Sequence, residues 1–536
     1  MSRRVGALLV AASLAACVSA PKYQPPAIVV APAFRAIADS GPRHIVGHPA
    51  GDTSVMPAAG STTESTSQSP APSGGDIAAV PIVGASGQAT ATSSAAGAGP
   101  IDGHGAGATL ISTEQPRTRF WEELGDSTLT SLIAEALESN PDVHVAEARL
   151  RSARASRRLS AFDFAPTITA RAGFTRQQLS AAQLPGVSGA LPRQDLWDGG
   201  FDASWELDIF GRISRNVRAG SAFVSSAVED VRDVQLSLAA EVARTYFELR
   251  GAQSELAVAN RNAENQRRTV ALTEKRLAEG RGTAFDTERA KAELSLTLAG
   301  TPAIEARIAA SRFRIAALLG RNPEALPSAL LASYEPRPLP DVVRVGSPEQ
   351  LVRRRPDVLS AERQLAAETM LTGAARAEYL PRLTIGGSVG YTATAFDALG
   401  NAGTSRYLVG PVLSWPFLDI GRVRTRVDAA QADADEARAH YTSAVLAAIE
   451  EAETAIVAYE RARARLTSLS DAARSSARAT ELAQLRFQEG VTDFLQVLDA
   501  QRTLLSAESQ LAAGRTSAAT ALVALYKAVG GAVPGQ

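Results

Sequence analysis

Ala483-Gln-Leu-Arg-Phe-Gln-Glu-Gly490-Val-Thr-Asp-Phe494-Leu-Gln-Val-Leu-Asp-Ala-Gln-Arg-Thr-Leu504 is the run of sequence that decides the fold. It reads as helix up to Glu489, breaks at Gly490, and restarts with the apolar residues Phe494, Leu495, Val497 and Leu498. Glycine accepts the backbone conformation that a reversal needs, so the break reads as a hairpin tip. An echo lies 210 positions earlier, where Arg276-Leu277-Ala278-Glu279-Gly280 matches Arg486-Phe487-Gln488-Glu489-Gly490. Two long helices, each reversed at a glycine into a return helix, make the chain a duplicated rod with two tips.

Working outward from the tips, no proline interrupts 211–280 or 421–490. Val228, Val242, Leu249, Leu256, Ala263, Val270 and Leu277 share one seven-residue register, with Val231, Leu238, Ala252 and Ala259 in the companion seam. At about 1.5 Å per residue such a helix is roughly 100 Å long, far beyond a globular domain. In the second copy, Ala448, Ala455, Ala462 and Ala483 permit close helix approach. Shorter return helices are expected from about Phe285 to Leu319 and from Phe494 to Val529.

Upstream, Asp126 or Ser127 can cap a helix through Leu129, Leu132, Ile133 and Leu137. Pro141 then opens a helix that ends near Pro166, at a position where its missing N–H does no harm. Pro141-Asp142-Val143, Leu150 and Pro166 recur as Pro356-Asp357-Val358, Leu365 and Pro381, an offset of 215. Trp205, Gly211-Arg212 and Glu241 recur as Trp415, Gly421-Arg422 and Glu451, an offset of 210. The change of offset falls between Pro166 and Trp205, where a loop tolerates it.

Four segments lie between these landmarks with apolar residues at every second position, among them Ile168, Phe174, Phe201, Trp205, Tyr391, Tyr407 and Trp415. Runs of about 9 residues with aromatics toward their ends fit membrane-spanning strands. A soluble sheet with one wet face fits each strand equally well. Four strands, however, are too few to close a barrel of the usual size, and open edges are forbidden in lipid. If the strands span, several protomers must pool them.

Arg3 and Arg4, the apolar run Val5–Leu14, and Ala15-Ala16-Cys17 read as a secretory signal. Small residues before the chain's one cysteine resemble a bacterial lipoprotein signal, which implies acylation, palmitate included, at Cys17. Residues 18–118, poor in large side chains, read as a flexible low-complexity linker. The remaining boundaries are a first repeat at 119–320, a Pro-rich connector at 321–346 and a second repeat at 347–531. With 55 basic and 56 acidic residues the net charge is −1, which offers nothing to nucleic acid. A mean hydropathy of −0.04 and the lack of an 18-residue apolar run argue against a transmembrane helix.

Chemistry is hard to find. There is no HExxH, GxSxG or phosphate loop, and a single cysteine cannot make a zinc pair. Gly103-His104-Gly105 lacks a preceding strand, and His44 and His48 lie in the low-complexity tract. His144 and His440 are isolated on helices, where solvated or packed roles outweigh metal ligation. No enzyme, cofactor or metal site is expected.

The lipoprotein start, Trp121-Glu-Glu-Leu-Gly-Asp126, the paired Pro-Asp-Val motifs, the two strand pairs and the two Gly-broken hairpins together resemble the outer-membrane factors of tripartite efflux systems. The resemblance is to the NodT-like lipoprotein branch, over about residues 119–531 and the N-terminus. It implies an α+β membrane protein and a homotrimer, with a twelve-stranded barrel in outer-membrane lipid and a twelve-helix periplasmic tunnel. It further implies a passive exit duct that meets a periplasmic adaptor (membrane fusion) protein and an RND-type inner-membrane transporter. The family's constriction falls on Leu495, an apolar collar, and Asp499, an acidic ring. The adaptor-docking tips fall on Arg276, Leu277, Glu279 and Gly280, and on Arg486, Phe487, Glu489 and Gly490. A type I protein-secretion channel shares this fold, and a structural coiled-coil lipoprotein is the alternative without a pore.

Overall fold

The computed structural model describes residues 30–39, 110–114, 119–180, 192–323, 330–331, 337–340 and 342–530. Two short elements come first, helix α1 (Arg35–Asp39) and strand β1 (Leu110–Ser112). The first repeat follows as α2 (Phe120–Glu123), α3 (Ser127–Ser139), α4 (Pro141–Phe162), β2 (Thr167–Gln177), β3 (Gln194–Leu207), α5 (Arg212–Ala278) and α6 (Ala284–Leu318). After β4 (Val342–Arg344), the second repeat gives α7 (Pro348–Val352), α8 (Pro356–Ala377), β5 (Arg382–Ala393), β6 (Ser405–Ser414), α9 (Ile420–Gln488) and α10 (Phe494–Ala528).

Local chemistry sets these boundaries. The Asp126 carboxylate accepts from the Thr128 and Leu129 N–H groups at 3.0 and 3.2 Å, so Asp126 rather than Ser127 caps α3. Asn140 caps α4 through the Asp142 N–H at 2.7 Å, with Pro141 in the first turn. The long helices α5 and α9 hold 67 and 69 residues. Their middles bury the expected register, with Val242, Leu249 and Ala263 in α5 and Ala448 and Ala455 in α9. The register opens toward the tip, where Leu277 is exposed.

Around the middle of the rods, α2 and α3 close a core in which Phe120 stacks on Tyr526 with ring centroids 5.2 Å apart. The Tyr246 hydroxyl donates to the cap carboxylate of Asp126 at 2.7 Å, and the Tyr526 hydroxyl to Glu123 at 2.9 Å. Burial and these acceptor carboxylates push both phenols above their usual range.

Two pieces of the expected linker belong to this body. Phe34, just before α1, and Ile37 within it are buried in the core. The Arg35 and Ala36 N–H groups donate to the Glu453 carboxylate at 2.6 and 2.8 Å. Strand β1 pairs in parallel with β4, which lies in the Pro-rich connector between the repeats. Composition averaged over a hundred residues hides such short apolar segments. Cys17 and most of residues 18–118 lie outside the described residues.

Candidate functional site

The two tips share one backbone design. Gly280 and Gly490 take φ of 71° and 74°. The Arg281 N–H reaches back to the Arg276 carbonyl at 2.8 Å, and the Val491 N–H to the Arg486 carbonyl at 2.9 Å. These bonds satisfy carbonyls that a helix end would leave orphaned. The return helices then start on matching caps, Thr283 accepting from the Asp286 N–H and Asp493 from the Gln496 N–H.

Side chains set the tips apart. Phe487 is buried in a small cluster with Ala290, Phe494, Val497 and Leu498. The Arg276 guanidinium lies 4.1 Å from the Phe487 ring centroid and donates to the Phe487 carbonyl at 3.3 Å. Arg276 and Phe487, both expected at a docking surface, are thus turned toward each other and join the two tips within one chain. Leu277, Glu279, Gly280, Arg486, Glu489 and Gly490 do face solvent. Glu279 is held by Arg281.

Leu495 and Asp499 stand one turn apart on an exposed face of α10, with Leu495 48% accessible. Phe494, Val497, Leu498 and Gln501 occupy the packed face. The helix therefore presents one apolar and one anionic side chain together, away from its own hairpin. One turn further, Arg502 spans to α6 and donates to the buried Glu293 carboxylate at 2.7 and 2.5 Å. Deeper in this end of the rods, the seam between α5 and α10 stays polar. Gln501 donates to the Thr269 hydroxyl at 3.1 Å, and Asn262 to Glu508 at 3.0 Å. Sequence reasoning missed these bonds, because periodicity marks which positions face a seam but not which polar groups meet across it.

At the other end, β2, β3, β5 and β6 form an antiparallel sheet in the order β2-β3-β5-β6, leaving β2 and β6 as edges. The register sets Ala170 opposite Phe201, Phe201 opposite Val389, and Val389 opposite Tyr407. With side chains alternating along each strand, Ile168, Phe174, Phe201, Trp205, Tyr391 and Tyr407 then share one face, and all are exposed. Trp415 continues that face just beyond β6. The Trp205 and Trp415 indoles donate to the Phe164 and Tyr379 carbonyls at 2.9 and 3.0 Å, a matched pair in the two repeats.

The opposite face is polar. Arg406 donates to both carboxylate oxygens of Asp198, at 2.9 and 2.8 Å, and the Thr392 hydroxyl joins them at 2.8 Å. Arg171 pairs with Asp202 at 3.3 Å. Leu408 and Val412 of the edge strand β6 depart from this division. Among the described residues no helix is long and apolar enough to cross a membrane, and no three His, Cys, Asp or Glu side chains are placed to hold a metal ion.

Comparison with known proteins agrees with this geometry. Residues 132–321 and 347–531 match the family model described as outer membrane efflux protein. Outer membrane protein OprJ of Pseudomonas aeruginosa is 31% identical over 414 residues, covering 76% of this chain and 84% of that protein. Nodulation protein T of Rhizobium leguminosarum bv. trifolii is 29% identical over 397 residues, 73% of this chain and 83% of its own length. Among solved structures, the outer-membrane channel OprN superposes with a TM-score of 0.73 at 38% identity, covering 81% of this chain and 99% of that one. VceC of Vibrio cholerae gives 0.70 at 25% identity, covering 78% and 100%. The chain belongs to the outer membrane efflux protein family.

Proposed function

We propose that this chain is the outer-membrane exit duct of an efflux pump, working as a homotrimer with its sheet in the membrane and its helical tips in the periplasm. The observation that carries this reading is the four-stranded sheet, apolar on one face, charged on the other, and unpaired at both edges. In lipid every backbone N–H and C=O must find a partner, so the edges of β2 and β6 must meet other strands. Two copies would give eight strands, and a barrel of about eight is filled by its own side chains. Three copies are the fewest that leave a water-filled path, with the Arg171, Asp198, Asp202 and Arg406 face lining it.

Such a duct needs no chemistry of its own, since energy would enter at the inner membrane. Relatives described as outer membrane proteins of efflux pumps, SrpC and TtgI of Pseudomonas putida, support a pump context. A periplasmic adaptor protein and an RND-type inner-membrane transporter would complete the assembly, and acylation of Cys17 would anchor the N-terminus in outer-membrane lipid. At the periplasmic end, three copies of Leu495 would form an apolar collar and three of Asp499 an acidic ring. An apolar ring impedes flow by dewetting, and an acidic one favours cations and closes around bound ones.

Single-channel recording in planar bilayers tests both layers of the reading. Wild-type trimers should conduct weakly, and Leu495→Ala with Asp499→Ala should raise conductance severalfold. Conductance unchanged by the double substitution would remove the constriction from these residues. Assembled trimers that never conduct would remove the duct itself.

A further inference from the structure

The two repeats differ sharply in charge just below the sheet. Between Ala148 and Phe162, α4 carries Arg149, Arg151, Arg154, Arg157 and Arg158 and no acidic residue. At the positions equivalent to Arg154, Arg157 and Arg158, α8 has Thr369, Thr372 and Gly373. The Thr372 hydroxyl closes the joint of α8 to α9 by donating to the Ala430 carbonyl at 2.8 Å. In the first repeat, Arg157 holds the joint of α4 to α5, its Nε donating to the Ser221 hydroxyl at 2.8 Å. Gly220 permits this approach, since a Cβ there would lie 3.3 Å from the Arg157 Cα. Beside the joint is an open pocket of about 500 Å³ lined by Arg154, Arg157, Arg158, Ser221 and Val224. None of its three arginines has a carboxylate partner among the described residues.

Helix geometry fixes the side on which this pocket opens. Glu206 and Arg382 stand on the charged face of the sheet, in step with Asp198 and Thr392. Arg212 donates to Glu206 at 3.0 and 2.8 Å, and Arg382 pairs with Glu378 at 3.1 Å. Asp163, the repeat equivalent of Glu378, also acts on the Arg212 charge, so both carboxylates lie toward that charged face. Arg154 precedes Asp163 by about two and a half helical turns and therefore points the opposite way. That is the side of Ile168, Phe201 and Trp205. Phe162 and Phe164 are exposed between the pocket and Trp205, whose indole donates to the Phe164 carbonyl. At about 1.5 Å per residue, Arg158 and Arg154 lie roughly 6 and 12 Å from Phe162 along α4. A headgroup layer is about 5–8 Å deep, and an arginine stem can lean toward it. Apolar strands, exposed aromatic rings and then cations follow the order of a lipid leaflet from acyl chain to phosphate.

We infer that this pocket holds the phosphodiester headgroup of an anionic phospholipid in the periplasmic leaflet of the outer membrane. Guanidinium groups offer paired N–H donors that match phosphate oxygens, and the pocket gathers three of them. A headgroup without an amine leaves its negative charge for these arginines, whereas a zwitterionic one brings a cation that they repel. Phe162 and Phe164 give the acyl chains an apolar surface, which soluble phosphate would not use. Only the first repeat carries the arginines, so each subunit has one such site. The inference rests on the membrane placement proposed above and adds what the wall binds at its periplasmic margin.

Native mass spectrometry of the full-length protein tests it, with phosphatidylglycerol or phosphatidylcholine added in detergent. The wild-type chain should retain one phosphatidylglycerol per subunit under conditions that strip phosphatidylcholine. Arg154→Gln with Arg158→Gln should weaken phosphatidylglycerol retention about tenfold or more and leave phosphatidylcholine unchanged. Arg157 stays in place because it holds the helix joint. Arg154→Lys with Arg158→Lys keeps the charge and should recover part of the retention. Equal retention of both lipids by the wild type, or undiminished retention by the glutamine variant, overturns the site. Displacement by an equal concentration of inorganic phosphate overturns the lipid as its occupant. The same spectra report assembly, so a variant that loses lipid and subunit contacts together overturns the headgroup role in favour of a structural one. The bilayer recordings described above separate the two layers. A conducting channel with no lipid preference sinks this inference alone, and a chain that never conducts removes the membrane placement and this site with it.

Discussion

The two hairpin tips have nearly the same backbone and very different side chains. Both end in a left-handed glycine, both return their last carbonyls through the same bonds, and both restart on a capped helix. Yet the Gly490 tip buries Phe487 against Phe494, Val497, Leu498 and Ala290 of the first hairpin, while at the Gly280 tip the equivalent Leu277 and the neighbouring Phe285 stay exposed. The equivalents of Leu495 and Asp499 are Phe285 and Arg289, so an apolar and anionic pair on one tip corresponds to an apolar and cationic pair on the other. A duplicated fold thus keeps the turn and divides the labour. One tip is packed and carries the side chains proposed to close the duct, and the other leans on it through Arg276.

The largest break in this comparison should come from Phe487→Ala. Removing a buried aromatic ring costs about 3–5 kcal/mol in a packed site, and less where the neighbours can collapse. At an exposed end of the rod we expect about 3 kcal/mol of local stability to be lost around α9 and α10. Leu277→Ala, at the matching but exposed position, should cost under about 0.5 kcal/mol. Hydrogen exchange across 480–500 and 270–290 would show it. Equal loss of protection at both tips would mean that the small cluster around Phe487 holds nothing in place.

A second, smaller effect should follow from Arg502→Met. It leaves the Glu293 carboxylate buried without its cation, a penalty of about 1–3 kcal/mol. Arg502 is itself about half exposed, so solvent screening places the loss near the lower end of that range. Adding Glu293→Gln should recover much of the loss by removing the stranded charge, and a double-mutant cycle on hydrogen exchange would measure it. The first tip has Ala292 and Thr503 at the corresponding positions, so no such pair can form there between copies. Additive losses in the cycle would mean that the two groups do not interact.

How much of this was legible in sequence depends on the range of the interaction. The glycine stops at 280 and 490, the proline at 141 and the alternation in the four strands are local patterns, and each element appears within a few residues of where its pattern placed it. The sharing of one sheet face by Phe201, Val389 and Tyr407 follows from alternation once the register is known. What stayed hidden is set by packing between distant parts of the chain. Arg276 and Phe487 were read as twin docking residues because each sits in the same tip motif; nothing local says that one lies on the other. Phe34 and Ile37 vanished into a Pro- and Ala-rich background, although their spacing makes a single apolar face. The Arg406–Asp198–Thr392 lattice joins three strands, and only the register reveals that the three meet.

The finest test of the comparison is Arg276→Gln against Arg486→Gln. Arg276 lies over an aromatic ring and donates to its backbone carbonyl. A guanidinium that itself stays partly exposed contributes about 0.5–1 kcal/mol through such a ring contact. Arg486 has the same place in its own motif, but the repeat equivalent of Phe487 is Leu277, which has no π face to offer. Arg276→Gln should therefore raise exchange near Phe487 by about threefold, which corresponds to roughly 0.6 kcal/mol, and Arg486→Gln should leave both tips unchanged. Replacing Leu277 with Phe in the Arg486 background would then sharpen the point. If the tips differ only in this ring, Leu277→Phe should make Arg486→Gln costly in assembled channels and leave it silent in isolated subunits, where the two side chains belong to different copies.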